Sequence, residues 1–216
     1  MGKFEFKGCV EIKKLLGKRA DDEHQLMDLI EDVSVDSIYY HTHSFFLRHY
    51  YLVGSYPNDF ANWAAIQVRD HVLGEKLAGV TAYGYSRGVE DIRAQLIEII
   101  DAHLSDIKVI PAVVYGQPFY FMESEILEIS TGVEVSCMEE FIEALKIVDA
   151  SAIYNHMFEA RLRVKKGRSD FSIWIDEALG MKALAEKVEK IDSYMHSLEG
   201  LRNKLVDICN REFRNE

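Results

Sequence analysis

Five polar or aromatic side chains occur in the same order twice along this chain, and they are its best candidates for chemistry. Tyr39, His41, Arg48, Asp59 and Trp63 are matched by Tyr154, His156, Arg163, Asp170 and Trp174. On a helix, His41 and Arg48 lie seven residues apart, nearly two turns, and share a face. His156 and Arg163 have the same spacing. A histidine can serve as acid, base or ligand, and an arginine can clamp an anion. An aspartate opening the next helix can cap its own backbone and reach back to the arginine. The set therefore reads either as a polar pocket or as a His–Arg–Asp network that fastens two helices.

The repetition extends beyond these residues. A shift of 115 aligns positions 4–48 with the second half, a shift of 111 aligns 58–87, and a shift of 109 aligns 89–104. Together these give 21 identities over 91 positions, where average composition predicts about six. The expectation is a tandem duplication: a first helical repeat at 1–105, a connector at 106–118, and a second repeat at 119–216, with pseudo-two-fold symmetry. Two copies need the same fold-holding contacts, whereas a single active site can survive in one and be lost from the other. Duplication thus favours the structural reading of the shared set. It moves functional weight to unshared residues such as His43, His49, His71 and His103.

One copy supplies the elements that position these residues. Each begins with a short alternating strand, Phe4–Phe6 or Phe119–Met122, with Gly17 or Gly132 marking a turn. Helices are expected near 22–33, 36–52, 59 onward, 73–78 and 88–104, and at the aligned positions of the second copy. Asp21 and Ser136 are the expected first caps, with Ser136 and Glu139 forming a capping box. The fold class is mainly α, with a short strand at the start of each copy.

Other constellations carry less. His41, His43 and His49 share a predicted helix, but residues two apart point about 200° apart, so no metal site is assigned. His156 and Glu159 have no matching pair in the first copy, where Ser44 stands. The chain lacks the glycine-rich nucleotide loops and the GxSxG elbow, and no cofactor is assigned. The aromatic run Phe45, Phe46, Tyr50, Tyr51 and Tyr56 reads as core. The basic run Arg161, Arg163, Lys165, Lys166 and Arg168 reads as a solvated helix end.

A net charge of −11 excludes a phosphate-neutralising surface. Three widely spaced cysteines without a CxxC read as free thiols of a reducing compartment. No apolar run reaches membrane-spanning length, and the N-terminus has no signal core. The expectation is an acidic cytoplasmic protein without nucleic-acid or membrane partners. Its partner would be a small molecule or a protein, with homo-oligomerisation as a further option.

The segments SIYYHTHSFFLRHYYL, PNDFANW, PFYF, AIYNHMFEARLR, SDFSIW and LEGLR resemble a family of uncharacterised prokaryotic proteins known only as a domain of unknown function. The resemblance covers nearly the whole chain and is strongest over the His-bearing helix and the following Asn-Asp-Phe. It implies a duplicated fold, no established activity, and a sugar-metabolic setting, since members are encoded near glycosyltransferases. Asn155 departs from the family's tyrosine before the second histidine. The function expected is a non-catalytic binding or regulatory module with a site at the joint between the copies. The alternative is an enzyme acting on a sugar or sugar phosphate through the His/Arg pocket.

Overall fold

The structure is a computed structural model, and it describes residues 2–49, 56–82, 88–161 and 168–213. The chain is mainly helical, with two long strands. Strand β1 (Phe4–Ala20) is followed by α1 (Glu23–Asp32), α2 (Val35–Thr42), α3 (Phe45–Arg48) and α4 (Asp59–Asn62). The last of these runs on as a π-helical turn, Trp63–Val68, before α5 (His71–Ala82) and α6 (Val89–Asp106). Strand β2 (Phe119–Val135) then opens a similar series: α7 (Met138–Ile147) and α8 (Ala150–Tyr154), extended by a π-helical turn at Asn155–Glu159. Helices α9 (Asp170–Glu177), α10 (Lys182–Glu189) and α11 (Leu198–Phe213) complete it.

Contacts group the chain into two compact units. Unit 1 comprises Met1–Val10, His49–Leu52 and Ile126–Glu216, and unit 2 comprises Glu11–Arg48 and Val53–Glu125. The units therefore cut across the segments aligned in sequence. Each takes the start of one strand and the helices of the other segment.

The strands pair with each other. In unit 1, Lys3 bridges Glu134 at 2.9 Å, and in unit 2, Lys14 bridges Glu123 at 2.7 Å. The partner number falls as the strand number rises, so the ribbon is antiparallel. Its strands are 17 residues each, not short. Only their ends carry buried apolar residues; Val10, Ile12, Leu15, Leu127 and Ile129 stay exposed. The ribbon is anchored at its buried ends and pairs through an exposed middle, so burial pattern alone understates its length. Gly17 and Gly132, expected at turns, lie inside the strands with φ of 72° and 73°. They relax the strands locally through a conformation that costs other residues about 1–2 kcal/mol.

The helices follow their apolar spacing. Ile92, Leu96 and Ile100 recur every fourth residue and form the buried stripe of α6. Leu26 and Ile30 of α1 meet it. Leu198, Leu201, Leu205 and Cys209 form the equivalent stripe of α11 in unit 1. The first helix is capped by Asp22, whose side chain accepts from the Gln25 N–H, and not by Asp21. In α7 the cap position is Cys137, and it is Glu140, not Glu139, that accepts from the Ser136 N–H and hydroxyl. The expected single helix over 36–52 breaks after Thr42. Among the described residues, no helix is long and apolar enough to cross a membrane.

Candidate functional site

The aromatic pairs at the strand starts build the floor on which the histidines sit. In unit 2, Phe119 and Phe121 pack against His41, with ring centroids 4.6 and 5.9 Å away, and Phe119 stacks on Phe60 at 5.0 Å. In unit 1, Phe4 and Phe6 lie 4.8 and 6.0 Å from His156, beside Phe141 and Phe171. Trp63 donates its indole N–H to the Gln117 carbonyl, and Trp174 donates to the Gly2 carbonyl, both at 2.9 Å. The tryptophans thus hold the chain entering each strand.

Each histidine is committed at both ring nitrogens. His41 Nε2 accepts from the Met122 backbone N–H at 3.0 Å, and Nδ1 lies 2.8 Å from Asp59 Oδ2. His156 Nε2 accepts from the Lys7 N–H at 2.8 Å, and Nδ1 lies 2.8 Å from Asp170 Oδ2. A nitrogen that accepts carries no proton, so each ring is the Nδ1–H tautomer donating to its aspartate. The histidine thereby ties a helix, a strand backbone and the next helix together. Both rings are 3% exposed. Burial, opposed by the bond to Asp59, holds His41 below the usual imidazole range. Burial pushes Asp59 up, but the His41 bond and the Arg48 charge outweigh it and leave the carboxyl below its ordinary value.

Arg48 completes the unit 2 network. Its Nη2 donates to Asp59 Oδ2 at 2.8 Å and to the Tyr40 carbonyl at 2.9 Å, and its guanidinium lies 4.1 Å over the Tyr40 ring. The relevant tyrosine is therefore Tyr40. Tyr39 points elsewhere and meets the His43 ring at 5.5 Å. In unit 1, Tyr154 is buried and stacks on Phe158, while Asn155 takes the position aligned with Tyr40 and donates to the Lys7 carbonyl at 3.2 Å. Arg163, with Lys165, Lys166, Tyr50 and Tyr51, lies outside the described residues. The flanking arginines of the basic run are paired: Arg161 with Glu189 at 2.9 Å and Arg168 with Asp176 at 3.1 Å.

A cavity of about 350 Å³ opens beside the unit 2 network, lined by Tyr40, Arg48, Asp59, Asn62, Trp63 and Tyr120 among others. Its unit 1 counterpart, about 340 Å³, borders His156 and Asp170 but is walled by Lys3, Lys7, Glu5 and Glu128. The same His–Asp pair thus underlies two pockets of different chemistry. No motif marks this difference, because the walls combine helix, strand and loop residues far apart in sequence.

His43 contributes to neither pocket, yet it is fully buried, and burial pushes its imidazole down from 6.5 to about 4. The unfolded chain then binds this proton first as pH falls. Stability due to the neutral ring is complete above pH 6.5 and is lost progressively down to about pH 4. Between about pH 7 and about pH 4.5, the native chain should lose roughly 2 kcal/mol more than His43→Gln in urea unfolding. Equal losses in the two proteins would refute the assignment. Cys9, Cys137 and Cys209 are free thiols, and burial pushes Cys209 up to about 12, far from a nucleophile's range.

One cluster escapes sequence reading altogether. Glu23, Asp70 and His103 come together from three helix ends in unit 2. The unshared His103 was the one available signal.

Comparison with solved structures finds the same fold in OrfY from Thermoproteus tenax, with a TM-score of 0.78 and 23% identity, covering 97% of this chain and 95% of that one. Among curated proteins none matches. The model of a family of unknown function (DUF5752) matches residues 1–210, and the chain belongs to that family.

Proposed function

We propose that this chain is a non-catalytic binding or regulatory module whose ligand is a small neutral polyhydroxylated molecule held in the unit 2 pocket. The observation that carries this reading is the full engagement of His41. With Nε2 taken by the Met122 N–H and Nδ1–H by Asp59, the ring has neither a lone pair nor a proton to offer a substrate. A general acid or base must place one of these within hydrogen-bond reach of the reacting atom.

The pocket's charge points the same way. A neutral His41, one aspartate and one arginine sum to zero, and the guanidinium already bonds Asp59 and the Tyr40 carbonyl. That arrangement offers little to a phosphate dianion, which disfavours the enzyme reading on sugar phosphates. Asp59 Oδ1 makes no hydrogen bond among the described residues, leaving an acceptor beside the rings of Tyr40, Trp63 and Tyr120. Flat apolar walls with a few converging polar groups are the usual make-up of a small-molecule site.

The parallel geometry of the two histidine clasps and the two tryptophan bonds supports an origin by duplication. On that view the clasps are shared scaffold, and the differing pocket walls are where function has diverged.

Calorimetric titration of the full chain with glucose and maltose tests the proposal. Saturable binding is expected, weakened at least tenfold by Tyr120→Ala, with no turnover. Absence of binding by either sugar, together with hydrolysis of glucose 6-phosphate that His41→Gln abolishes, would establish the enzyme alternative instead.

A further inference from the structure

Glu23 is an unusual residue to find buried without a hydrogen bond among the described residues. It lies in the first turn of α1, is 0% exposed, and among the described residues neither of its carboxylate oxygens has a hydrogen-bond partner. Buried polar groups are nearly always satisfied, and a buried carboxylate needs a cation or a proton. What it faces is His103, in the last turn of α6, and Asp70, immediately before α5. His103 Nε2 stands 3.8 Å from Glu23 Oε2 and 2.8 Å from Asp70 Oδ2. One ligand atom from each of the three side chains lies within 4.8 Å of the others.

We propose that Glu23, Asp70 and His103 form a binding site for one divalent transition-metal cation, with Zn²⁺ the best match. Metal–ligand bonds of about 2.0–2.2 Å in tetrahedral geometry place donor atoms roughly 3.3–3.5 Å apart. The two His103 distances bracket that spacing, so small side-chain rotations bring the three donors onto one ion. The cation takes the place of the proton shared by His103 and Asp70, and it neutralises Glu23.

The surroundings are built to hold these donors. Arg69, in the left-handed region at φ 70°, ends the π-helical turn and carries the chain to Asp70. Asp70 Oδ1 accepts from the Leu73 N–H at 2.8 Å, which orients the carboxylate and leaves Oδ2 for the cluster. Such outer bonds fix ligand geometry in metal sites. Helix α6 packs against both α1 and α5, so all three donors sit on rigid elements. In the absence of metal, burial and the Asp70 charge raise the Glu23 carboxyl to about 7.

Three protein donors leave a fourth position for water or a small ligand, as in exchangeable zinc sites. Asp70, with a side chain 14% exposed, marks the solvent side. The nitrogen donor disfavours Ca²⁺ and Mg²⁺, which take oxygen ligands. The internal alignment sets Met138, Met181 and Glu212 against Glu23, Asp70 and His103. The trio therefore belongs to one unit alone, as expected of function and not of shared scaffold.

Full-length protein freed of metal with chelator and then exchanged into buffer should bind Zn²⁺ with one-to-one stoichiometry by calorimetry. It should also develop the visible ligand-field bands of bound Co²⁺. Glu23→Gln, nearly isosteric and removing no hydrogen bond, should weaken Zn²⁺ at least tenfold with its far-ultraviolet circular dichroism unchanged. His103→Gln should do the same and abolish the Co²⁺ bands; if it does not fold, Glu23→Gln decides. Failure of the native chain to bind either ion, or binding that Glu23→Gln leaves intact, would overturn the proposal. Tighter binding of Ca²⁺ than of Zn²⁺ would also overturn it.

Discussion

Asp59→Ala is expected to lower the unfolding free energy by about 3–5 kcal/mol, because removing one partner of a buried charge pair leaves the other uncompensated. Asp59 Oδ2 receives both the His41 Nδ1–H and the Arg48 Nη2–H at 2.8 Å. His41 is 3% exposed, and the Arg48 side chain is 18% exposed. His41 cannot be resolvated without opening the helix junction. The loss also propagates to β2, since the tautomer that accepts from the Met122 N–H is set by the proton held toward Asp59. Asp59→Asn should recover part of the stability, because its amide oxygen can still accept from one donor. Urea unfolding near neutral pH gives the comparison. A loss below about 1 kcal/mol for the alanine variant would place this pair among weak surface ion pairs and refute the clasp.

The second large effect is expected at Phe121. Phe121→Ala should cost about 3–5 kcal/mol, the range for deleting a buried phenylalanine ring and leaving a cavity. Phe121 is 0% exposed and packs on His41, Phe60 and Phe119 at centroid distances of 5.9, 6.4 and 4.8 Å. It is one of the few apolar anchors by which the ribbon joins the helices of unit 2. A two-stranded ribbon has little stability of its own. Thermal unfolding should therefore show a lowered midpoint, and exchange of the amides near Met122 should accelerate more than global unfolding accounts for. Unchanged exchange there would mean that the ribbon is held by its hydrogen bonds and not by its aromatic ends.

The helix positions were legible from local pattern. Fourfold apolar spacing marks α6 and α11, whereas the aspartate expected to reach the arginine also lies against the histidine 18 or 14 residues before it. Tyr39 was misplaced because a spacing of two residues puts side chains on different helix faces, and the break after Thr42 shifts the register again. Strand length was understated because Val10 and Ile12, like Leu127 and Ile129, keep the alternation through the middle of the ribbon but stay exposed, so they mark no core-facing strand.

What the amino-acid sequence determined by itself is local: which segments are helical, which faces are apolar, and which residue types recur. It also marked Phe4, Phe6, Phe119 and Phe121 as alternating strand residues, which the fold then buries. It did not say against what. Alternating apolar residues encode that a strand end must be covered, but any helix face of suitable shape satisfies the requirement. Tertiary packing alone decided that Phe4 and Phe6 lie on the helices that follow β2, and Phe119 and Phe121 on those that follow β1. The same holds for Glu23, Asp70 and His103, which come from three separate helix ends. Their proximity follows from how α1, α5 and α6 pack, and no spacing along the chain encodes it.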